Sequence, residues 1–420
     1  MRHVQLTEKV MCRIHPIWYL ALLALALAGI LPAAHATSPL TVDENLNLGD
    51  VTAAAMARNP DRARFEALRW QADALEKRAR IPLDGPPALE LIHKTDALAS
   101  DTGLSEWESS IEFPLRRPGL QAATKRRAEG RFVLVDRQSA AWQLEVAGTV
   151  RDLLARLAQA EENVRLARQA LTTAERLQAQ VQQRLEMGDV PRTHLILARE
   201  ESLQRQADLR QATLALNQVA EEYRQVTGLD AWPAQWTESP APDASLEQHP
   251  ALLAARADVQ AAEAERAVIR ERGRSQPTVG VNIRREEVGR EAIDSVGISV
   301  SLPIMFDRLR APDEAGASLS VVDAHAQASM IERHIHLAVA QAAQALAAAR
   351  VEQKQSAAHR ELADESLALA RRAYSLGEIG LADLLRVRER QLAAQRRAAM
   401  SHVQLQRSIA EYNQARGVMP

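Results

Sequence analysis

The chain repeats itself with a spacing of 189 residues, and this repeat constrains its fold more than any other feature. A glycine-containing turn at residues 185–191 recurs at residues 374–380, so that Gly188 corresponds to Gly377. The same spacing relates Arg199-Glu200 to Arg388-Glu389, Leu203 to Leu392, Leu216 to Leu405, Tyr223 to Tyr412 and Gly228 to Gly417. Because the register persists throughout, we interpret the pattern as an internal duplication of one helical hairpin, which any fold assigned to the chain has to accommodate.

Proline positions indicate where the helices begin. Asn59-Pro60 and His249-Pro250 each combine an N-cap residue with proline at the first helical position, and predict helices ending near Arg80 and Arg274. Beyond these, two long segments contain no proline after their first few residues.

These two segments, residues 120–186 and 308–375, are predicted to be uninterrupted helices. Each would be ~100 Å long at ~1.5 Å per residue, and helices at residues 192–227 and 381–416 would return along them. Apolar residues recur at every seventh position, as in Val150, Leu157, Val164 and Leu171 and in Leu209, Leu216 and Tyr223. Such spacing keeps an apolar seam facing a partner helix, and a partly exposed coiled coil is one interpretation.

Four shorter stretches alternate apolar and polar residues with the period of two that is typical of β-strands. They are predicted at about residues 88–94, 104–114, 278–285 and 295–303. A small soluble sheet would show the same alternation, but apolar-out, polar-in strands of ~9–11 residues also describe a membrane barrel. We favour the barrel, because each pair of strands lies between a helix and a long rod, and because the start of the chain, described below, predicts export.

Closure of such a barrel requires several copies of the chain. Four strands cannot close a barrel, and lipid does not tolerate open sheet edges, whereas three copies would supply about twelve strands. The predicted fold is therefore mainly α with a small β part: a long α-helical barrel joined to a trimeric 12-stranded transmembrane β-barrel. Glu106, Glu108, Glu112 and Arg284 would line its lumen, where acidic residues favour cations. Alternatively, these charged residues would only contact the water that fills the pore, without selecting cations.

The start of the chain is typical of a secretory signal peptide. Basic residues precede an apolar run at residues 17–31, and Ala34-His35-Ala36 provides a small-x-small cleavage site. A membrane anchor is the alternative, but ~15 apolar residues are fewer than the ~20 that a spanning helix needs. We therefore predict that residues 1–36 are removed, and either Met1 or Met11 would serve as the start.

The remaining chain would contain a first repeat at residues 37–230, a Trp/Pro linker at 231–244 and a second repeat at 245–420. Cys12 is the only cysteine, so neither disulfides nor N-terminal lipidation is expected in the mature protein. Aromatic residues make up only 3% of the chain, which favours thin helix-on-helix seams over a large globular core. The 52 basic and 54 acidic residues nearly balance, so no basic field for nucleic acid is predicted.

The sequence offers no support for catalysis, a cofactor or a metal site. His334 and His336 are two residues apart, which separates them by ~200° around a helix. His325 lies nine residues before His334, which does not match the i, i+4 spacing of a zinc protease, and His359 stands alone. Neither a Gly-rich phosphate loop nor a Gly-x-Ser-x-Gly nucleophile turn occurs, and we do not expect an enzyme.

Together these residues resemble the TolC-like outer membrane efflux proteins. The resemblance rests on the Asn-Pro and His-Pro helix starts, the strand ends Phe113-Pro114 and Leu302-Pro303, and the Leu-Gly-Glu-Ile-Gly-Leu-Ala-Asp turn at residues 376–383. It covers about residues 43–417 and is most similar to the CzcC-type branch of cobalt–zinc–cadmium efflux. Many relatives are lipoproteins, and this sequence departs from them because it has no cysteine near residue 36.

The family resemblance implies a passive exit duct. It would be a homotrimer in outer-membrane lipid with a long periplasmic extension, and would receive its substrate through a periplasmic adaptor from an RND-type inner-membrane pump. For the CzcC-type branch that substrate would be divalent heavy-metal cations. A drug or type I secretion duct of the same fold stays open, as does an exported coiled-coil adaptor, although the duplicated strand pairs speak against the adaptor.

The resemblance also implies that the two glycine turns are periplasmic tips, where adaptor hairpins dock and the tunnel narrows. The residues implied in adaptor contact are Leu185, Gly188, Asp189, Val190, Leu376, Gly377, Glu378 and Ile379. Glu378 and Asp383 are implied in the constriction. Ordinary helix capping explains the same turns, since glycine commonly follows a helix end and an acidic residue favours the next helix N-terminus.

Overall fold

A computed structural model describes residues 39–98, 100, 102–242, 245–304 and 306–420, so the predicted signal peptide lies outside the described residues. The chain divides into two units, Met1–Pro39 and Leu40–Pro420, and every element below belongs to the second. The α-helices are α1 Leu48–Arg58, α2 Asp61–Arg80, α3 Pro118–Glu186, α4 Arg192–Thr227, α5 Pro250–Arg272, α6 Asp307–Ser375 and α7 Leu381–Ala415. The β-strands are β1 Thr41–Asp43, β2 Ala88–Thr95, β3 Leu104–Pro114, β4 Ala231–Pro233, β5 Thr278–Val288 and β6 Glu291–Ser301.

Four strands form one antiparallel sheet in the order β2-β3-β5-β6. Pro114 pairs with Thr278, which in turn pairs with Ser301, so the end of β3, the start of β5 and the end of β6 coincide. Helices α2, α3, α5 and α6 are therefore all connected to the same end of the sheet. Strands β2 and β6 form the two edges, and neither has a second neighbour within the described part of the chain.

Two long helical hairpins extend from the sheet. Helices α3 and α6 have 69 residues each, and their return helices α4 and α7 have 36 and 35. Helix α3 packs against α7, which joins the hairpins side by side, and α5 packs against both α3 and α6. None of the helices described combines the length and the apolar character needed to span a bilayer.

The main apolar core lies where α1, α3 and α4 meet. Val150, Leu157 and Tyr223, which belong to the seven-residue repeats, are fully buried there. The Tyr223 hydroxyl donates to the carbonyl oxygen of Ala231 at 2.8 Å, and burial raises the pKa of this phenol to about 12. Tyr223 therefore connects the return helix to strand β4, which pairs in parallel with β1.

Helix α1 and strand β4 were not expected from the sequence. Asn47 caps α1 reciprocally with Asp50: the Asp50 N–H donates to Asn47 Oδ1 at 2.9 Å and the Asn47 N–H to Asp50 Oδ2 at 3.2 Å. This capping box indicates a helix start in the sequence. The three helical turns that follow carry only a short apolar stripe, so the helix was not predicted. Residues 231–233, which were predicted to belong to a linker, form a strand because residues 41–43 lie beside them.

The second strand pair also differs from its predicted bounds. Strand β5 continues to Val288 and β6 begins at Glu291, because backbone pairing persists through charged residues that break the apolar alternation. The turn between them holds Gly289 at φ +63°, a conformation that glycine adopts without strain. Strand β6 ends at Ser301 and not at residue 303, since Pro303 has no N–H to donate to a sheet.

A buried ion pair holds the linker against both hairpins. The Arg151 guanidinium on α3 donates to both carboxylate oxygens of Glu238, at 2.8 and 2.7 Å. It also donates to Gln414 Oε1 on α7 at 2.7 Å and to the carbonyl oxygen of Val418 at 3.0 Å. Its side chain is only 3% exposed, so the positive charge depends on these acceptors.

We expect Glu238→Gln to lower the free energy of unfolding by ~3–5 kcal/mol, because it leaves the Arg151 cation buried without a counter-charge. The matched control is Glu66→Gln, which breaks an exposed pair with Arg62 and should cost less than ~1 kcal/mol. Denaturant unfolding of the detergent-solubilised protein measures both. Equal losses in the two variants would contradict a special role for the buried pair.

Candidate functional site

Both glycine turns close a helix with the same hydrogen bonds. After α3, the Gly188 N–H donates to Leu185 O at 3.0 Å and the Asp189 N–H donates to Arg184 O at 2.8 Å. After α6, the Gly377 N–H donates to Tyr374 O at 3.2 Å and the Glu378 N–H to Ala373 O at 2.9 Å. This is the Schellman pattern of a helix C-terminus.

The glycines of both turns have a left-handed backbone and open surroundings. Gly188 and Gly377 each have φ +80°, and a Cβ placed on either would meet no atom within 4 Å. Helix capping therefore explains why each position holds glycine. Capping does not explain why no other atom of the described residues occupies the space beside Gly188 and Gly377.

The two tips pack against each other through an apolar cluster. Val181, Val190 and Leu195 of the first hairpin are buried with Leu367, Leu381 and Leu384 of the second. The predicted contact residues consequently divide into two groups. Val190 is buried and Leu185 and Ile379 are partly buried, whereas the exposed residues are Gly188, Asp189, Leu376, Gly377 and Glu378.

The residues predicted to form a constriction are both exposed. Glu378 lies in the second turn, and Asp383 lies in the first turn of α7, where its Oδ1 accepts a hydrogen bond from Arg386 at 3.1 Å. The Arg386 cation partly neutralises Asp383. Glu378 is therefore the better placed of the two to present a negative charge at the tip.

Beside the turns lies a groove of about 570 Å³ that the sequence did not predict. Its apolar wall includes Leu177 and Leu384, and the arginines that line it are Arg176, Arg184, Arg371 and Arg388. The arginines near both turns are visible in the sequence. They line one groove only because the two hairpins pack together. We call this feature the tip groove.

Contacts across the tip groove hold its two sides together. The Arg184 guanidinium of α3 lies 5.4 Å from the ring centre of Tyr374 on α6. Arg388 of α7 is almost fully buried and donates to the carbonyl oxygen of Ala170 on α3 at 3.0 Å. Burial lowers the pKa of the Arg388 guanidinium. The Tyr374 hydroxyl is buried and has no hydrogen-bond partner among the described residues.

The predicted lumen residues lie together on one face of the sheet. Glu106 is 8% exposed, with one carboxylate oxygen 3.2 Å from Lys94 Nζ and 3.6 Å from Arg284 Nε. Glu108 accepts a hydrogen bond from Asn282 at 3.0 Å, and Glu112 is on the same face. These ion pairs reduce the negative charge of the face, although its carboxylates still outnumber its cations.

The opposite face of the sheet is apolar and uncovered. Its most exposed side chains are Leu89 at 73%, Val296 at 75% and Ile298 at 79%. Trp107 shares this face and stacks on His93 with ring centres 4.1 Å apart. A soluble protein seldom leaves so continuous an apolar surface open to water, whereas lipid-facing strands require one.

The histidines of α6, which are His325, His334, His336 and His359, do not form a metal-binding group. His325 lies 3.9 Å from Glu263, an exposed contact, and no group of three or more His, Cys, Asp or Glu suited to a metal occurs within the described residues.

Comparison with known proteins gives no match to a family model and no match among curated proteins. Solved structures do match. A membrane protein from Pseudomonas aeruginosa superimposes with a TM-score of 0.73 at 18% identity, covering 90% of this chain and 91% of its own. CusC, whose structures concern transmembrane channel formation, gives 0.74 at 14% identity, with 92% and 96% covered. The Campylobacter jejuni CmeC outer membrane channel gives 0.70 at 17%, with 88% and 85% covered.

The chain has the fold of these membrane proteins, of which CmeC is an outer membrane channel. The likeness extends over nearly the whole of each protein, so the four-stranded sheet and both hairpins are part of it. At identities below 20% it concerns the fold alone, and roles for individual residues have to come from this chain's own geometry.

Proposed function

We propose that this protein is the outer-membrane exit duct of a tripartite efflux pump, with its long hairpins in the periplasm. The observation that carries this proposal is a sheet with one bare apolar face, one charged face and two open edges, continued by two helical hairpins. Such a sheet is stable in lipid only when its edges are closed by further strands. The shared fold with outer-membrane channels supports the same function.

Closure by two further copies of the chain is supported by the helices as well as by the strands. Helix α6 buries Leu367 on one side, while on the other side Leu362 and Leu369 are 66% and 64% exposed. Helix α4 likewise exposes Ile196, Leu203 and Leu214. Spacings of 7 and 11 residues place these side chains on continuous stripes. In a homotrimer the α6 stripe of one copy would pack on the α4 stripe of the next.

The tips are proposed to receive a periplasmic adaptor, which links the duct to a proton-driven RND-type pump in the inner membrane. The exposed turn residues and the open space at Gly188 and Gly377 support a contact there. The tip groove could bind an amphipathic helix of the adaptor. Its leucines would contact the apolar face of that helix, and its arginines would pair with carboxylates beside that face.

The proposed cargo is divalent heavy-metal cations, conducted passively. The excess of carboxylates on the inner face of the sheet supports cation passage, because an acidic pore wall attracts cations. A drug or secretion duct of the same fold is the second candidate, favoured by the ion pairs that reduce the charge of the same face.

Deletion of the gene from its host tests the function. We expect the strain to lose tolerance to zinc, cobalt or cadmium by several-fold, to keep its drug tolerance, and to be restored by a plasmid copy. Loss of drug tolerance alone would favour the second candidate. A protein that fractionates away from the outer membrane, or forms no heat-sensitive trimer on a gel, would contradict the duct itself.

A further inference from the structure

We propose that the end of the sheet joined to the long helices binds the anionic phosphate headgroups of the phospholipid leaflet on that side of the membrane. This inference rests on the proposed duct function, because it requires the sheet to span a bilayer. It concerns a surface well away from the tips, formed where helices and strands meet. We call this surface the junction and define it as residues 77–84, 115–117, 270–277 and 302–310.

Hydrogen bonds hold the connections of the junction at one level. The Arg116 guanidinium, after β3, donates to the carbonyl oxygen of Arg78, in the last turn of α2, at 3.1 Å and to that of Ile81, which follows α2, at 3.0 Å. The Leu115 N–H donates to the carbonyl oxygen of Pro277, before β5, at 2.8 Å. Because β6 ends in register with the start of β5, helix α6 begins close to the same level.

Exposed arginines lie at this level, at the ends of three of the four helices and directly after α5. They are Arg78, Arg80, Arg270, Arg272, Arg274 and Arg308. The chain as a whole has a net charge of −2, so this concentration of positive charge is local. The described carboxylates that face them are Asp84, at 3.5 Å from Arg116 and 3.9 Å from Arg272, Glu271, at 2.9 Å from Arg274, and Glu76, at 2.6 Å from Arg80.

Three of these arginines have no counter-charge among the side chains that the structure describes. No carboxylate whose side chain is described lies within 4.0 Å of the side chains of Arg78, Arg270 or Arg308. A guanidinium is a planar donor that suits the two oxygens of a phosphate. These three side chains are therefore free to bind an external anion.

Apolar side chains lie among the arginines and continue the bare face of the sheet. Leu302 is 60% exposed, Ile304 82% and Phe306 66%, all between the end of β6 and the start of α6. At a membrane surface, apolar residues enter the acyl region of the bilayer, and neighbouring arginines reach the lipid headgroups. The junction shows this combination. A nucleic acid or an acidic protein would engage the charges but would leave these apolar residues in water. Lipid satisfies both.

The test uses purified full-length trimers reconstituted into vesicles of equal phosphatidylglycerol and phosphatidylcholine, then re-extracted to measure the lipids that stay bound. The variant combines Arg78→Gln, Arg270→Gln and Arg308→Gln. The control combines Arg137→Gln, Arg350→Gln and Arg360→Gln, which removes three exposed helical arginines that also lack a described carboxylate partner but lie outside the junction. Both variants lose the same charge.

We expect wild type and control to retain phosphatidylglycerol preferentially, and the junction variant to lose at least about fivefold of this preference, since each arginine near an anionic surface contributes about that factor. Raised salt should weaken the preference. Equal retention in all three proteins, or displacement of the lipid by inorganic phosphate at low concentration, would overturn the lipid site while the duct stands. Failure of the wild type to insert into the vesicles would overturn the duct as well.

Discussion

A chain carrying Leu362→Glu and Leu369→Glu is expected to fold but to form no trimer. Both side chains lie on the exposed side of α6, at 66% and 64% exposure, so charges are tolerated there in a single copy. In the proposed trimer the same positions are buried against α4 of a neighbouring copy, where unpaired carboxylates cost several kcal/mol each. Size-exclusion chromatography with light scattering, on detergent-solubilised protein, measures the loss.

The control for this assembly test keeps the change in net charge the same. Arg350→Gln and Arg360→Gln also lower the net charge by two but lie off the stripe, and this variant should remain trimeric. Circular dichroism should show unchanged helix content in both proteins. A stable trimer of the double glutamate variant would contradict the proposed interface, and loss of the trimer in the control would indicate a general charge effect.

Replacing Gly377 or Gly188 with arginine is expected to abolish efflux while leaving trimers in the outer membrane. A side chain at φ +80° costs ~1–2 kcal/mol, and the open space around each Cβ adds no clash, so the fold should survive. The arginine would instead project from the tip into the space that the adaptor is proposed to occupy. Metal tolerance of the complemented deletion strain measures the effect.

Gly289 provides a matched control for the tip substitution. It also has a left-handed backbone, at φ +63°, and open space around its Cβ, but it lies in the β5–β6 turn. Gly289→Arg should therefore carry the same strain and leave efflux intact, and Gly377→Asn, which tolerates that backbone, should behave like wild type. Unchanged tolerance in Gly377→Arg would rule out contact at the turn, and equal loss in Gly289→Arg would point to strain alone.

Local patterns in the sequence predicted most of the helices and strands. Proline positions, glycines after helix ends and the alternation in residues 104–114 depend on neighbours a few residues away, and they led directly to α3, α6 and β3. The alternation also separated the two faces of the sheet, since Glu106 and Glu108 share one face while Trp107 lies on the other. The errors occurred where pairing with a distant segment decided the structure, as in strand β4.

The candidate tip site was only partly predictable. The turn glycines follow from helix capping, whereas the burial of Val190 depends on the second hairpin packing against the first. The tip groove exists for the same reason, because its arginines come from helices far apart in the chain. In the first hairpin alone, Val190 and Leu185 would lie on the surface.

By itself, the sequence determined the long helices, the alternating strands and the two glycine turns, because each is encoded by spacing within a short segment. The tertiary structure alone decided which stripes stay bare, which arginines converge at the junction and at the tip groove, and how Arg151 is neutralised by Glu238, 87 residues away. These features arise from contacts between distant segments, whose distances and burial no local periodicity specifies.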